Sequence, residues 1–97
     1  MPKHELHRVM NIELAAPYQL RITFEDGAMR LIDFSEVLYG VLFSPLREVN
    51  FFNRVALDPE VHTIVWPNGA VFDPETLYNW DRYLPAMKAR MQSLASA

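Results

Sequence analysis

The sequence contains no cysteine, which excludes a disulfide staple, a thiolate metal site and a cysteine nucleophile. It also lacks any run of about eighteen apolar residues, so no segment reads as a membrane-spanning helix. The N-terminus carries no apolar stretch of signal-peptide length. Glycine is scarce: Gly27, Gly40 and Gly69 stand apart, whereas a phosphate-cradling loop or dinucleotide fingerprint needs them clustered. No Gly-x-Ser-x-Gly elbow is present for a serine nucleophile. Nine Lys and Arg against twelve Asp and Glu give a net charge of −3, and the basic residues are scattered, so the chain shows no grouped charge for a nucleic-acid backbone. A cytoplasmic protein with no membrane contact, no direct nucleic-acid partner and no cofactor is the expectation.

What is present suffices for one core. Of 97 residues, 51% are hydrophobic and 22% charged, near the globular average. A chain of this size hides roughly two-thirds of its extended surface on folding.

Tyr18, Leu20, Ile22 and Phe24 alternate with Gln19, Arg21, Thr23 and Glu25, the period-two pattern of a strand with one wet face. Asp26-Gly27 then reads as a two-residue hairpin turn. That loop sets Phe24 opposite Met29, Ile22 opposite Leu31 and Leu20 opposite Asp33, which puts Asp33 on the apolar face. Upstream, Met10, Ile12 and Leu14 predict a third strand, joined through Ala15 to Pro17. Asp33-Phe34-Ser35-Glu36 has capping-box spacing, predicting a helical turn over Glu36 to Tyr39 that Gly40 ends. Ser44 as N-cap and Pro45 at the first helical position begin another short helix, with Leu46, Val49 and Phe52 turned to the core.

Arg54 to Asp58 and Val61 to Trp66 predict a second hairpin around Asp58-Pro59-Glu60. Pro67 has no N–H to give a ladder and so ends the strand; Asn68-Gly69 reverses the chain, and Ala70 to Phe72 return. Asp73-Pro74-Glu75 supplies an acceptor cap, a first-position proline and an acid in the first turn of a helix. That helix carries Leu77, Trp80 and Leu84 on one side, with Tyr78 and Tyr83 flanking, and Pro85 interrupts it. Met87, Met91 and Leu94 continue on a short amphipathic segment. The expected architecture is a two-layer α+β domain over residues 1–84: an antiparallel β-meander, a second β-hairpin, one short helix and a C-terminal helix packed on the sheet. Residues 85–97 form a short tail.

The ordered set "YQLRITFEDGAMRLIDFSEVL", "FSPL", "FNRVALDPE" and above all "IVWPNGAVFDPETLY" resembles the bacterial family called domain of unknown function 2442, and similarity extends to the N-terminal domain of NE-type regulators and to antitoxin-like proteins. The resemblance implies a small α+β domain with no established catalytic residues. Stand-alone members look like products of paired small genes, arranged as toxin–antitoxin modules are. Longer members carry a helix-turn-helix, which suggests regulation; the residues after Tyr78 here are too few for one.

The candidate residues divide by type. His4 and His7 are three apart, where zinc-binding helices prefer four and a further ligand, so no metal site is assigned and the terminus reads as flexible. His62 stands alone in a β-rich run. Asp26, Gly27, Asp33, Ser44, Pro67, Asn68, Gly69, Asp73 and Pro74 all have turn or cap assignments, and no catalytic residue is assigned. Trp66, Tyr78, Trp80, Tyr83, Leu84 and Met87 concentrate large apolar groups on and near the last helix, more than one sheet face covers. These six are candidates for a contact with a partner protein or with a second copy as a homodimer.

The leading expectation is therefore a non-enzymatic interaction module, antitoxin-like, whose partner is the product of a neighbouring gene. A transcription-related accessory domain is the second reading, favoured if Arg21, Arg30 and Arg54 converge. A small enzyme or ligand-binding protein is the third, favoured if Asp33, His62 and Asp73 share a pocket.

Overall fold

Alternation along the chain builds the first sheet. β1 (Val9–Ala16), β2 (Gln19–Phe24) and β3 (Met29–Asp33) form an antiparallel meander in that order. The structure, a computed structural model, describes residues 7–96. The β2–β3 loop has three residues, Glu25-Asp26-Gly27, one more than the Asp-Gly pair implies. Phe24 N–H donates to Ala28 O at 2.8 Å and Gly27 N–H to Phe24 O at 2.9 Å, with Gly27 left-handed at φ 92°. This is a turn ending in a glycine bulge.

The extra loop residue moves the pairing by one: Thr23 faces Met29, Ile22 faces Arg30 and Leu20 faces Ile32. Since side chains alternate, the whole of β3 is turned over relative to the two-residue reading. Ile32 enters the core, whereas Met29 and Leu31 lie outside, 55% and 58% exposed. Asp33 is also exposed and lies on the face opposite Leu20.

A second antiparallel sheet holds β4 (Ala56–Asp58), β5 (Thr63–Val65) and β6 (Val71–Phe72) in sequence order. Its β5–β6 loop, Pro67-Asn68-Gly69, repeats the first: Trp66 N–H donates to Ala70 O at 2.9 Å and Gly69 N–H to Trp66 O at 3.0 Å. The strands thus form two sheets. They meet where β1 bulges between Val9 and Asn11, and there Val9 N–H donates to His62 O at 2.9 Å.

The helices differ from their sequence signals in instructive places. No helix spans Glu36 to Tyr39; Asp33 Oδ1 accepts from Ser35 N–H at 2.9 Å, and Glu36 reaches Lys88 at 3.5 Å instead of closing a box. Helix α1 (Gly40–Phe43) starts later. Ser44 is not an N-cap, because its N–H is taken by Gly40 O as α1 runs into a 3-10 helix, Ser44–Arg47. The cap is Glu48, which accepts from Asn50 and Phe51 N–H ahead of α2 (Val49–Phe52). Asp73 does cap α3 (Pro74–Tyr78), accepting from Thr76 N–H at 3.2 Å. The break follows at Asn79, and α4 (Trp80–Ser96) passes through Pro85 without interruption. Pro85 and Asp81 are both exposed, so the carbonyl that the proline leaves unbonded faces water.

Between the sheets and α4 lies a core of aromatic rings. Phe34, fully buried, meets Trp80 at 5.0 Å, Phe72 at 5.2 Å, Phe52 at 5.7 Å and Trp66 at 6.2 Å between centroids. Tyr18 occupies the β1–β2 turn behind Pro17 with φ 65°, a conformation that type II turns normally give to glycine. It is held there by its hydroxyl on Arg47 O and by edge contact with Phe52.

The observed register separates neighbours on β3. Ile32→Ala is expected to lower stability by about 2–5 kcal/mol, and Leu31→Ala by only about 0.5 kcal/mol. Denaturant midpoints of the two variants check this; the reverse order, with the larger loss at Leu31, would point to the two-residue turn.

Candidate functional site

Burial sorts the six aromatic and apolar candidates first. Trp66 and Trp80 are 3% and 6% exposed, and Trp66 Nε1 donates to Phe52 O at 2.9 Å. Both are core residues drawn in around Phe34, with little surface left to a partner. Tyr78 is half-buried and structural in role. Its hydroxyl donates to Asp26 Oδ2 at 2.5 Å, Phe24 meets its edge at 4.9 Å, and the Arg30 guanidinium sits 4.6 Å from its centroid. His7 stacks on the same ring at 3.7 Å while its Nδ1 lies 3.0 Å from Glu75 Oε1. The segment at His7 is therefore tied to α3, contrary to a flexible terminus; His4 lies outside the described residues. Tyr83, Leu84 and Met87 remain, half-buried along α4.

These three stand beside open surface. A groove of about 340 Å³ runs between α4 and the β6 edge, with Tyr83, Met87, Phe43 and Val71 in its walls. A larger one, about 550 Å³, lies between β3 and the α3–α4 junction, from Met29–Ile32 across to Tyr78 and Arg82. Sequence reading missed this second groove, since the two-residue register placed Met29 and Leu31 in the core.

The arrangements that would favour other chemistry are only partly met. His62 and Asp73 share a cleft with His7 and Glu75, but Asp33 is on the outer face of the first sheet. The cleft measures about 260 Å³, under the roughly 300–1,000 Å³ of small-molecule sites. Asp73 is engaged by Thr76 through both carboxylate oxygens. Among the described residues no group of three His, Cys, Asp or Glu side chains is placed to hold a metal. The three arginines diverge: Arg21 pairs with Glu13 at 3.0 Å on the outer face, Arg30 donates from the opposite face to Tyr78 O at 2.9 Å, and Arg54 lies over Phe51.

The Tyr78–Asp26 bond has an electrostatic signature. Donation from the Tyr78 hydroxyl, assisted by Ala28 N–H, holds the Asp26 carboxyl below its usual 3.8. The same bond, then desolvation, raises the Tyr78 phenol above 10.0.

Two packed three-stranded sheets closed by a C-terminal helix define a small α+β domain. Residues 9–83 match the model of the family described as a protein of unknown function, DUF2442, and the chain belongs to that family. No curated protein and no solved structure matches it. Among the described residues no helix is long and apolar enough to cross a membrane.

Tyr78→Phe tests the clamp by its pH dependence. The lowered Asp26 value contributes stability above 3.8 that disappears as pH falls through the folded-state value. The raised Tyr78 value contributes stability below 10.0 that disappears as pH rises through its folded-state value. The stability gap between wild type and Tyr78→Phe is therefore expected to be widest between these limits and to close at both ends, read from urea midpoints across pH. A gap independent of pH would remove the hydrogen bond as its source.

Proposed function

We propose that this chain is a non-enzymatic protein-interaction module, cytoplasmic and antitoxin-like, that binds the protein product of a neighbouring gene. The observation that carries this reading is the groove between α4 and β6, where half-buried Tyr83 and Met87 stand over exposed Val71. An apolar groove with a polar rim suits an amphipathic helix or extended segment of a protein partner. Arg90 and Asp73 are charged members of its lining. Gene pairing within the family supports the choice of first partner to test. The divergence of Arg21, Arg30 and Arg54 makes the transcription-related reading weaker, and the small, already bonded His62–Asp73 cleft does the same for the enzymatic one.

Met87→Glu places a charge in the groove at a half-buried position on the margin of the core. It is expected to weaken binding of the co-purified neighbouring-gene product by about thirtyfold or more, measured by calorimetry, with the circular dichroism of the domain unchanged. Glu60→Ala, remote from the groove, is the control. Equal affinity for Met87→Glu and wild type would sink this surface as the site.

A further inference from the structure

The tip of the second hairpin carries a reactive pair. Of the five asparagines, Asn11, Asn50, Asn53 and Asn79 are followed by Ile, Phe, Arg and Trp, and Asn68 alone by glycine. A glycine amide, with no side chain beside it, is the least hindered nucleophile that the backbone can turn on an asparagine side chain. Pro67, Asn68 and Gly69 are all exposed, and nothing lies within 4 Å of the place a Gly69 Cβ would take. Water therefore reaches the pair.

Three bonds hold it closed. Gly69 N–H donates to Trp66 O at 3.0 Å, Ala70 N–H to Asn68 Oδ1 at 3.1 Å, and Asn68 Nδ2 to Leu42 O at 2.9 Å. The last reaches α1, a helix of four residues with none buried, in which Val41 and Leu42 are 93% and 47% exposed. Pro45, three residues after Leu42 where the chain tightens into a 3-10 helix, has no N–H for the Leu42 carbonyl. Asn68 supplies one. Beyond this bond, α1 is held by Phe43, whose ring meets Phe72 at 4.9 Å, and by Gly40 beside Leu94.

We infer that Asn68 is a deamidation site whose product releases α1. When the tip opens, the Gly69 nitrogen gives up its proton and attacks Asn68 Cγ; the Cγ–Nδ2 bond breaks and the amide leaves as ammonia, taking up that proton. Water then opens the cyclic imide at either carbonyl and leaves an aspartate or an isoaspartate. The net change is amide plus water to carboxylic acid plus ammonia, with no redox step. The product cannot dock again. A carboxylate only accepts, and so does the Leu42 carbonyl, so a bond becomes a repulsion; isoaspartate also adds a backbone carbon to the Pro67-Asn68-Gly69 loop. The first hairpin marks the difference, because its equivalent turn carries Asp26 and the partner there is the Tyr78 hydroxyl, a donor. Freed, α1 takes Phe43 from the wall of the α4–β6 groove. The covalent step and the release of α1 stand without a partner; only the effect on binding rests on the interaction-module reading.

Purified chain is held warm at mildly alkaline pH, and peptide mass spectrometry is expected to find the acid at position 68 with the other asparagines intact. Phe43→Ala, which loosens α1, is expected to speed conversion by about threefold or more. In Asn68→Asp the Ser44 amide, bonded to Gly40 O at the end of α1, is expected to exchange about tenfold faster while the amides of β2 keep their protection. Asn68 still an amide when the same chain in urea has converted, or wild-type exchange at Ser44 in Asn68→Asp, overturns the inference. If Phe43→Ala does not fold, those two measurements decide. A chain that converts at Asn68 and loosens α1 but binds no neighbouring-gene product supports this inference and ends the module reading. One that binds the product and never converts does the reverse.

Discussion

The packing of Phe34 against four other aromatic rings holds the domain together. Phe34 follows β3 directly, its N–H is bonded to Tyr18 O, and its ring reaches Phe52 on α2, Trp66 and Phe72 around the second hairpin, and Trp80 on α4. One side chain thus joins both sheets and two helices. Tilted and edge-on rings at these separations add attraction to the area they bury, and every ring in the cluster is drawn from a different element. The consequence reaches back along the chain. With Phe34 fixed inward, alternation places Ile32 inward and Leu31 and Asp33 outward, so the β3 register and its exposed edge follow from the core.

The two glycine-bulge turns show a shared solution with different wiring. In each, a short polar side chain accepts from the residue two positions on: Asp26 Oδ1 from Ala28 N–H, Asn68 Oδ1 from Ala70 N–H. In each, the second side-chain atom reaches a helix. Asp26 Oδ2 accepts from the Tyr78 hydroxyl on α3, whereas Asn68 Nδ2 donates to Leu42 O on α1. The difference in residue follows from the partner: a hydroxyl donor suits a carboxylate, and a carbonyl acceptor needs an amide N–H. At each hairpin tip one side chain therefore both closes the turn and holds a helix.

Legibility in the sequence followed how local each signal was. Asp73-Pro74 announced a helix start because the cap and its recipient, Thr76, are neighbours. The alternation of β2 was equally plain. Turn length was not, since Asp26-Gly27 fits loops of two or three residues and the choice is made by Phe34, remote from the turn. Ser44-Pro45 imitated a helix start, but α1 runs into that segment and had already claimed the Ser44 amide. Pro85 looked like a breaker, yet the chain breaks at Asn79, whose carbonyl takes the N–H groups of both Arg82 and Tyr83 as α4 begins. Of the contact candidates, the half-buried Tyr83, Leu84 and Met87 kept access to solvent. Trp66 and Trp80 did not, because composition cannot say which of several rings a small core takes.

The same core sets how the two open surfaces relate. Trp80 enters the core at the start of α4, and the helix then divides the neighbouring surface. Residues Tyr78 to Arg82 line the β3 groove, and Tyr83, Met87 and Arg90 line the β6 groove. The two grooves share no lining residue. An occupant of either groove would therefore leave the other open. Their coupling would run through the short α3–α4 junction, where Arg30 holds Tyr78 O from the β3 side and Asp73 caps α3 from the β6 side.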